Sequence, residues 1–128
     1  MIGVPRGVGV YGYCAPCDMR KSFHTLGAIV EREMKCELLP GDLFLFVSKN
    51  RKRAKVLYFD GTGMCLLAKR LDRGNFIAPW KRHHTKGNLE LTMSELALLI
   101  EGSEAVTSKL SPTMIRRADL RTPAFSNQ

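Results

Sequence analysis

Two apolar runs separated by Asp60-Gly61-Thr62-Gly63 constrain this chain more than any other feature. Ala54 to Phe59 and Met64 to Leu71 are each long enough for a strand. An Asp-Gly pair between such runs is a strong hairpin signal, because both residues accept the backbone angles of tight turns. The basic run Lys49 to Arg53 enters this hairpin, and Lys69-Arg70-Leu71-Asp72-Arg73-Gly74 leaves it. The pattern predicts a sheet whose strands have cationic ends.

Charge placement sharpens that expectation. The stretch from Lys49 to Lys86 holds 11 of the 20 Lys and Arg but only Asp60 and Asp72 among the 12 acids, so it carries +9 while the rest carries −1. Charge gathered in one third of a chain makes an electrostatic footprint for phosphates, whereas dispersed charge mainly affects solubility. Candidate DNA contacts are Lys49, Arg51, Lys52, Arg53 and Lys55 on the connection, Lys69, Arg70 and Arg73 after the hairpin, and Lys81, Arg82 and Lys86 further on. Arg20 and Lys21 are added from the start of a predicted helix. No sequence-reading motif accompanies them, so contact is expected mainly with DNA backbone. Trp80 and Tyr58 suit base stacking if exposed and core packing if not.

The rest of the chain fills in an architecture. Val8 to Tyr13 reads as a strand, bulged at Gly12. A helix is predicted from near Asp18, with Met19, Phe23, Leu26 and Val30 on one face and Ile29 and Met34 widening it. Leu38 to Gly41 is a turn and Leu43 to Val47 an apolar strand. Phe76-Ile77-Ala78 reads as a strand after the hairpin, Pro79 to Gly87 as a basic loop, and Leu89 to Leu91 as a last strand. Thr92 and Glu95 form a capping box for a helix from Met93 to Glu101, stopped by Gly102. The short connections predict an antiparallel meander. The expected fold class is therefore α+β: an N-terminal helix packed on an antiparallel β-meander, with a short C-terminal helix. Residues 1–102 form the predicted domain, and residues 103–128 a flexible polar and basic tail with a transient helix near 113–120.

A 128-residue chain with 45% apolar and 25% charged residues is globular rather than disordered. It has no run long enough for a membrane span and no secretory leader pattern, so a cytoplasmic protein with reduced cysteines is expected. Cys14-Ala15-Pro16-Cys17 precedes a helix, where a thiol pKa can fall. One such pair supplies half of a four-ligand zinc site, and no second pair is spaced to complete it. Ordinary thiols are expected, with zinc-binding or redox chemistry as minor alternatives and no metal or cofactor assigned. The acids are scattered at turn and helix boundaries, and no catalytic motif appears, so no catalytic residue is assigned.

In order and spacing these segments resemble a family. Asp18-Met19-Arg20-Lys21-Ser22-Phe23 is similar to its D-M-R-K-G/S-F helix start. Gly41 to Phe46 is similar to its G-x-L-F-V-F strand, Lys55 to Leu66 to its K-x-L-x-x-D-G-x-G-x-x-L hairpin, and Lys69 to Phe76 to its K-R-L-E-R-G-x-F turn. Pro79 and the segment Leu91 to Gly102 follow in place. The chain thereby resembles, over about Val4 to Gly102, the TnpB accessory proteins of the insertion sequence 66 family, which are distinct from the RNA-guided nucleases of the same name. The resemblance implies a non-catalytic accessory protein of DNA transposition, partnered with a separate element-encoded transposase. It carries over no catalytic residues. Cys14 and Cys17 depart from the family pattern, Tyr58-Phe59 replaces a Trp-rich pair, and the tail is unlike the family. A protein-interaction module that binds the transposase without DNA contact is the alternative.

Overall fold

In the computed structural model, which describes residues 8–82 and 88–102, the all-apolar strand β2 (Leu43–Val47) occupies the centre of the sheet. On one side it pairs with β3 (Arg53–Phe59), which pairs in turn with β4 (Met64–Arg70), both antiparallel. On its other side lies β1 (Val10–Tyr13), followed at the edge by β5 (Asn88–Leu91). The sheet order is β4-β3-β2-β1-β5.

This order corrects the predicted meander. β1 runs parallel to β2, with Val10, Tyr11 and Gly12 opposite Leu43, Phe44 and Leu45. A parallel pair needs a long crossover, and the chain between Tyr13 and Leu43 provides one that contains the helix α1 (Phe23–Arg32). The short-connection argument holds from β2 to β4 but not for this first link. The first helix therefore follows a strand, and the sheet is mixed. Phe76 to Ala78 is not a strand. Its residues lie outside the ladders, and Phe76 and Ala78 are buried beneath the sheet. No described strand takes the place beside β4 that the meander assigned to it; β5 joins the opposite edge of the sheet, antiparallel to β1.

Alternation along each strand divides the core into two layers. Phe44, Phe46 and Leu57 face α1, where they meet Leu26, Ile29, Val30 and Met34. Leu45, Val47, Ala54 and Val56 face the other way, onto Phe76 and onto Leu96 and Leu99 of α3 (Met93–Glu101). Every residue of β2 from Phe44 to Val47 is consequently buried, as its unbroken apolar run requires.

Local chemistry sets the boundaries. The helix starts at Phe23, not at Asp18, because the Asp18 carboxylate accepts from Arg20 N–H and the Arg20 guanidinium in a preceding turn. Ser22 N–H donates to Thr25 Oγ1 at 2.9 Å and opens the helix instead. Phe23 is accordingly 45% exposed and leaves the apolar stripe, while Met19 packs on the core from the preceding turn. The predicted capping box of α3 is present: Glu95 N–H donates to Thr92 Oγ1, and Thr92 N–H to Glu95 Oε1. Gly102 follows at φ 103°, a conformation that disfavours any side chain.

Gly12 is not bulged, since it pairs in register with both Leu45 and Leu89. Its missing side chain admits the helical turn α2 (Pro79–Arg82), for a Cβ there would lie 2.9 Å from Pro79 Cγ. Trp80 in this turn packs against the α3-side core. The remaining part of the predicted basic loop, with Lys86, lies outside the described residues, as do the tail and its predicted helix. Among the described residues no helix is long and apolar enough to cross a membrane.

Candidate nucleic-acid interface

The hairpin register brings the two basic runs together. Arg53 stands opposite Arg70, and Lys69 opposite Ala54. The chain leaving β4 then folds back along the β2–β3 connection. Leu71 N–H donates to Lys52 O at 2.9 Å, and Phe76 N–H to Arg51 O at 2.7 Å. Lys49 to Arg53 and Lys69 to Arg73 thus share one end of the sheet. Counting outward from the Asp60 turn would have revealed the Arg53–Arg70 pair from sequence.

The connection itself is held from within. Asn50 Oδ1 accepts from Ser48 Oγ at 2.8 Å and from Lys52 N–H at 3.0 Å, and Ser48 Oγ accepts from Arg53 N–H at 3.1 Å. Arg51 occupies the tip at φ 60°, in the left-handed region that costs an ordinary residue about 1 kcal/mol. Arg51→Asn should therefore stabilise the domain by up to about 1 kcal/mol, since asparagine tolerates this conformation. Denaturant unfolding checks the gain, and an unchanged or lower midpoint would contradict it.

Several candidate cations have structural partners. Lys52 Nζ donates to Gly74 O at 2.7 Å and clips the turn after β4 to the connection. Lys55 Nζ donates to Met19 O at 2.8 Å and Lys21 O at 2.7 Å, which fixes the turn before α1. Lys69 Nζ donates to Ile100 O at 2.9 Å, at the carbonyl end of α3 where a cation is favoured. Arg20 pairs with Asp18, and Arg82 with Glu95. Arg82 and Lys81 belong to α2, which packs beside β1, two strands away from β3. Sequence reasoning missed the anchors of Lys52, Lys55, Lys69 and Arg82 because each acceptor is a backbone carbonyl or a carboxylate that only the fold brings near, whereas Asp18 lies two residues from Arg20.

Two adjoining open hollows lie at this end of the sheet. One, of about 270 Å³, is lined by Met19, Arg53, Ala54, Lys55, Ala68, Lys69 and Arg70. The other, of about 620 Å³, is lined by Met19, Ser48, Lys49, Asn50 and Arg53.

The acids and thiols serve other ends. Backbone N–H groups of Thr62 and Gly63 bond Asp60 and hold its carboxyl down at about 2, as a turn former. Asp42 is buried and accepts from Gly9 N–H at 2.9 Å, tying β1 to the start of β2. Among the described residues no group of three or more His, Cys, Asp or Glu could hold a metal ion. Cys17 is 5% exposed, and burial pushes its thiol up to about 11, while burial also raises Cys14. That direction opposes the lowered pKa a dithiol catalyst needs. Cys17 should resist alkylation by iodoacetamide at pH 8 until the protein unfolds. Since the folded thiol keeps its proton where an unfolded one has lost it, stability should fall as pH rises from 9.0 toward about 11. Rapid native labelling at pH 8 would contradict both.

A single mixed sheet with a helix on each face, and with cations gathered at one strand end, defines a small layered α/β module. The chain belongs to the IS66 Orf2-like family: the family model described as "IS66 Orf2 like protein" matches residues 8–109. The family is associated with IS66 transposition, and the chain is accordingly a transposition-associated accessory protein. Two relatives come from Sinorhizobium fredii. The uncharacterized protein y4jC is 33% identical over 112 residues, covering 88% of this chain and 93% of its own. The uncharacterized protein y4hO is 36% identical over 85 residues, covering 66% and 71%. No solved structure matches the chain.

Proposed function

We propose that this protein is a non-catalytic factor that works in the cytoplasm and grips DNA backbone, alone or within a transposase–DNA complex, through the β3–β4 end of its sheet. The supporting observation is the convergence of two basic runs that flank one hairpin, through the Arg53–Arg70 register and the carbonyl ties at Arg51 and Lys52. Cations on a firm strand end and a folded loop can meet phosphates with little loss of freedom. Lys49, Arg51, Arg53, Arg70 and Arg73 make the contacts, with Lys21 beside them. Lys52, Lys55 and Lys69 hold the surface in shape and add field. Lys81 and Arg82 form a separate, weaker contribution, and Lys86 is kept as a further candidate contact. Residues 1–102 are the working domain, and the tail 103–128 matters less to it.

The test is a gel shift of the full chain at low salt, with element ends and with unrelated duplex. Similar shifts on both are expected, because backbone contacts carry no sequence information. No shift on either would remove DNA contact from this reading. In the second reading the protein meets the transposase directly. The outer edge of β4 has no strand partner among the described residues, and Leu67 on it is 52% exposed, a pattern open to strand addition. Co-purification with the transposase that survives nuclease treatment, together with a negative gel shift, would favour it.

A further inference from the structure

We infer that Arg53 and Arg70 form a seat for one backbone phosphate of DNA, in the 270 Å³ hollow between β3, β4 and Met19. The seat rests on the DNA-contact reading for the identity of its ligand, but its geometry stands by itself. Directly opposed residues of an antiparallel pair have Cβ atoms about 5 Å apart, and like charges placed so destabilise the sheet. Among the described residues the fold keeps this cost at a site where no acid pairs with either arginine. The ion pairs among the described residues are Arg20–Asp18 and Arg82–Glu95, and neither includes Arg53 or Arg70.

The surroundings add to the repulsion. Lys55 lies on the same sheet face, with its ammonium fixed by the carbonyls of Met19 and Lys21. Its cross-strand partner Ala68 carries only a methyl group, which leaves the floor of the hollow open. Two exposed guanidinium forks therefore face a space walled by a fixed cation. An oxyanion between them would turn the like-charge repulsion into two charge-assisted contacts, and planar guanidiniums match the oxygens of a phosphate. At about 30 Å³ per water, the hollow has room for such a group with part of its hydration.

The test compares the full-length protein with Arg70→Gln, Arg53→Gln and Arg70→Lys, and with Arg32→Gln as a charge-matched control on α1. Melting is followed in sodium chloride and in sodium phosphate at matched ionic strength. In dilute chloride, Arg70→Gln should melt about a degree or more above the parent, and the gap should close as salt screens the pair. Phosphate also stabilises proteins by exclusion from their surface, equally in all variants, so the difference between them is the readout. Phosphate should raise the parent and Arg32→Gln by roughly 5 °C more than Arg70→Gln or Arg53→Gln, with Arg70→Lys between. Binding of a labelled 20-base-pair duplex should weaken about 10-fold in each Gln variant and less in Arg70→Lys. Equal phosphate responses with undiminished duplex binding by the Gln variants would overturn the seat and leave the DNA-contact reading standing. A phosphate response lost in Arg70→Gln, in a protein that binds no duplex, would overturn the phosphodiester assignment and DNA contact together.

Discussion

Duplex binding by the full chain is expected to fall roughly 500-fold between 50 and 200 mM salt. The figure comes from about five phosphates neutralised by Lys49, Arg51, Arg53, Arg70 and Arg73, each adding about 0.9 to the logarithmic salt slope. Lys52, Lys55 and Lys69 are left out of that count, because their ammonium groups are aimed at Gly74 O, at the Met19 and Lys21 carbonyls, and at Ile100 O. Anisotropy of a labelled duplex across a salt series gives the slope directly. Replacing Arg53 and Arg70 together with glutamine should lower it by about 1.8. A slope near zero, or one unchanged in the double variant, would show that these cations do not meet phosphates. Equal slopes for element ends and unrelated duplex should accompany the effect, since the contacts are with backbone.

The second large effect concerns the sheet that carries the surface. Phe44→Ala should cost about 3–5 kcal/mol, a large share of the roughly 5–15 kcal/mol that holds a domain of this size. Phe44 is fully buried on the central strand, pairs with Tyr11 on one side and Leu57 on the other, and stacks on the Tyr11 ring with centroids 5.5 Å apart. Its ring therefore joins β1, β2 and β3 beneath α1. Denaturant unfolding with an unchanged slope would report the loss. Trp80, the single tryptophan, packs on the opposite face and should lose its native fluorescence at the same midpoint as the backbone signal. A cost below about 1 kcal/mol would mean that the site collapses around the deletion.

Elements defined by local chemistry were legible in the sequence. The Asp60 turn, the β3–β4 hairpin, the central strand and the Thr92–Glu95 box follow from residues close to one another. Most of what was not legible depended on distant partners, and the helix start on a local competition for one carboxylate. Nothing near Tyr13 states that its strand will lie parallel to β2 and receive β5 along its other edge. Asp18 looks like a helix cap until Arg20 takes its carboxylate, so the helix begins four residues beyond the aspartate's own neighbour. Phe76-Ile77-Ala78 has strand composition, yet its burial beneath the sheet comes from Phe76 N–H reaching Arg51 O. For the candidate site, the residue types were readable and the division of labour among them was not. Lys52 and Lys69 look no different from Arg53 and Arg70 in sequence, and only the nearby carbonyls separate anchors from outward-facing cations.

The position of β1 between β2 and β5 imposes an order on synthesis. The three strands β2 to β4 are linked by short turns and can assemble as soon as residue 70 is available. β1 is made first, yet it joins the sheet only by closing the loop that contains α1, and its second edge stays open until Asn88–Leu91 arrives. A nascent chain, or one truncated before residue 88, therefore presents the open edge of β1 to any passing strand. Completion of β5 is the step that covers the second edge of β1, and it comes near the end of the matched family region.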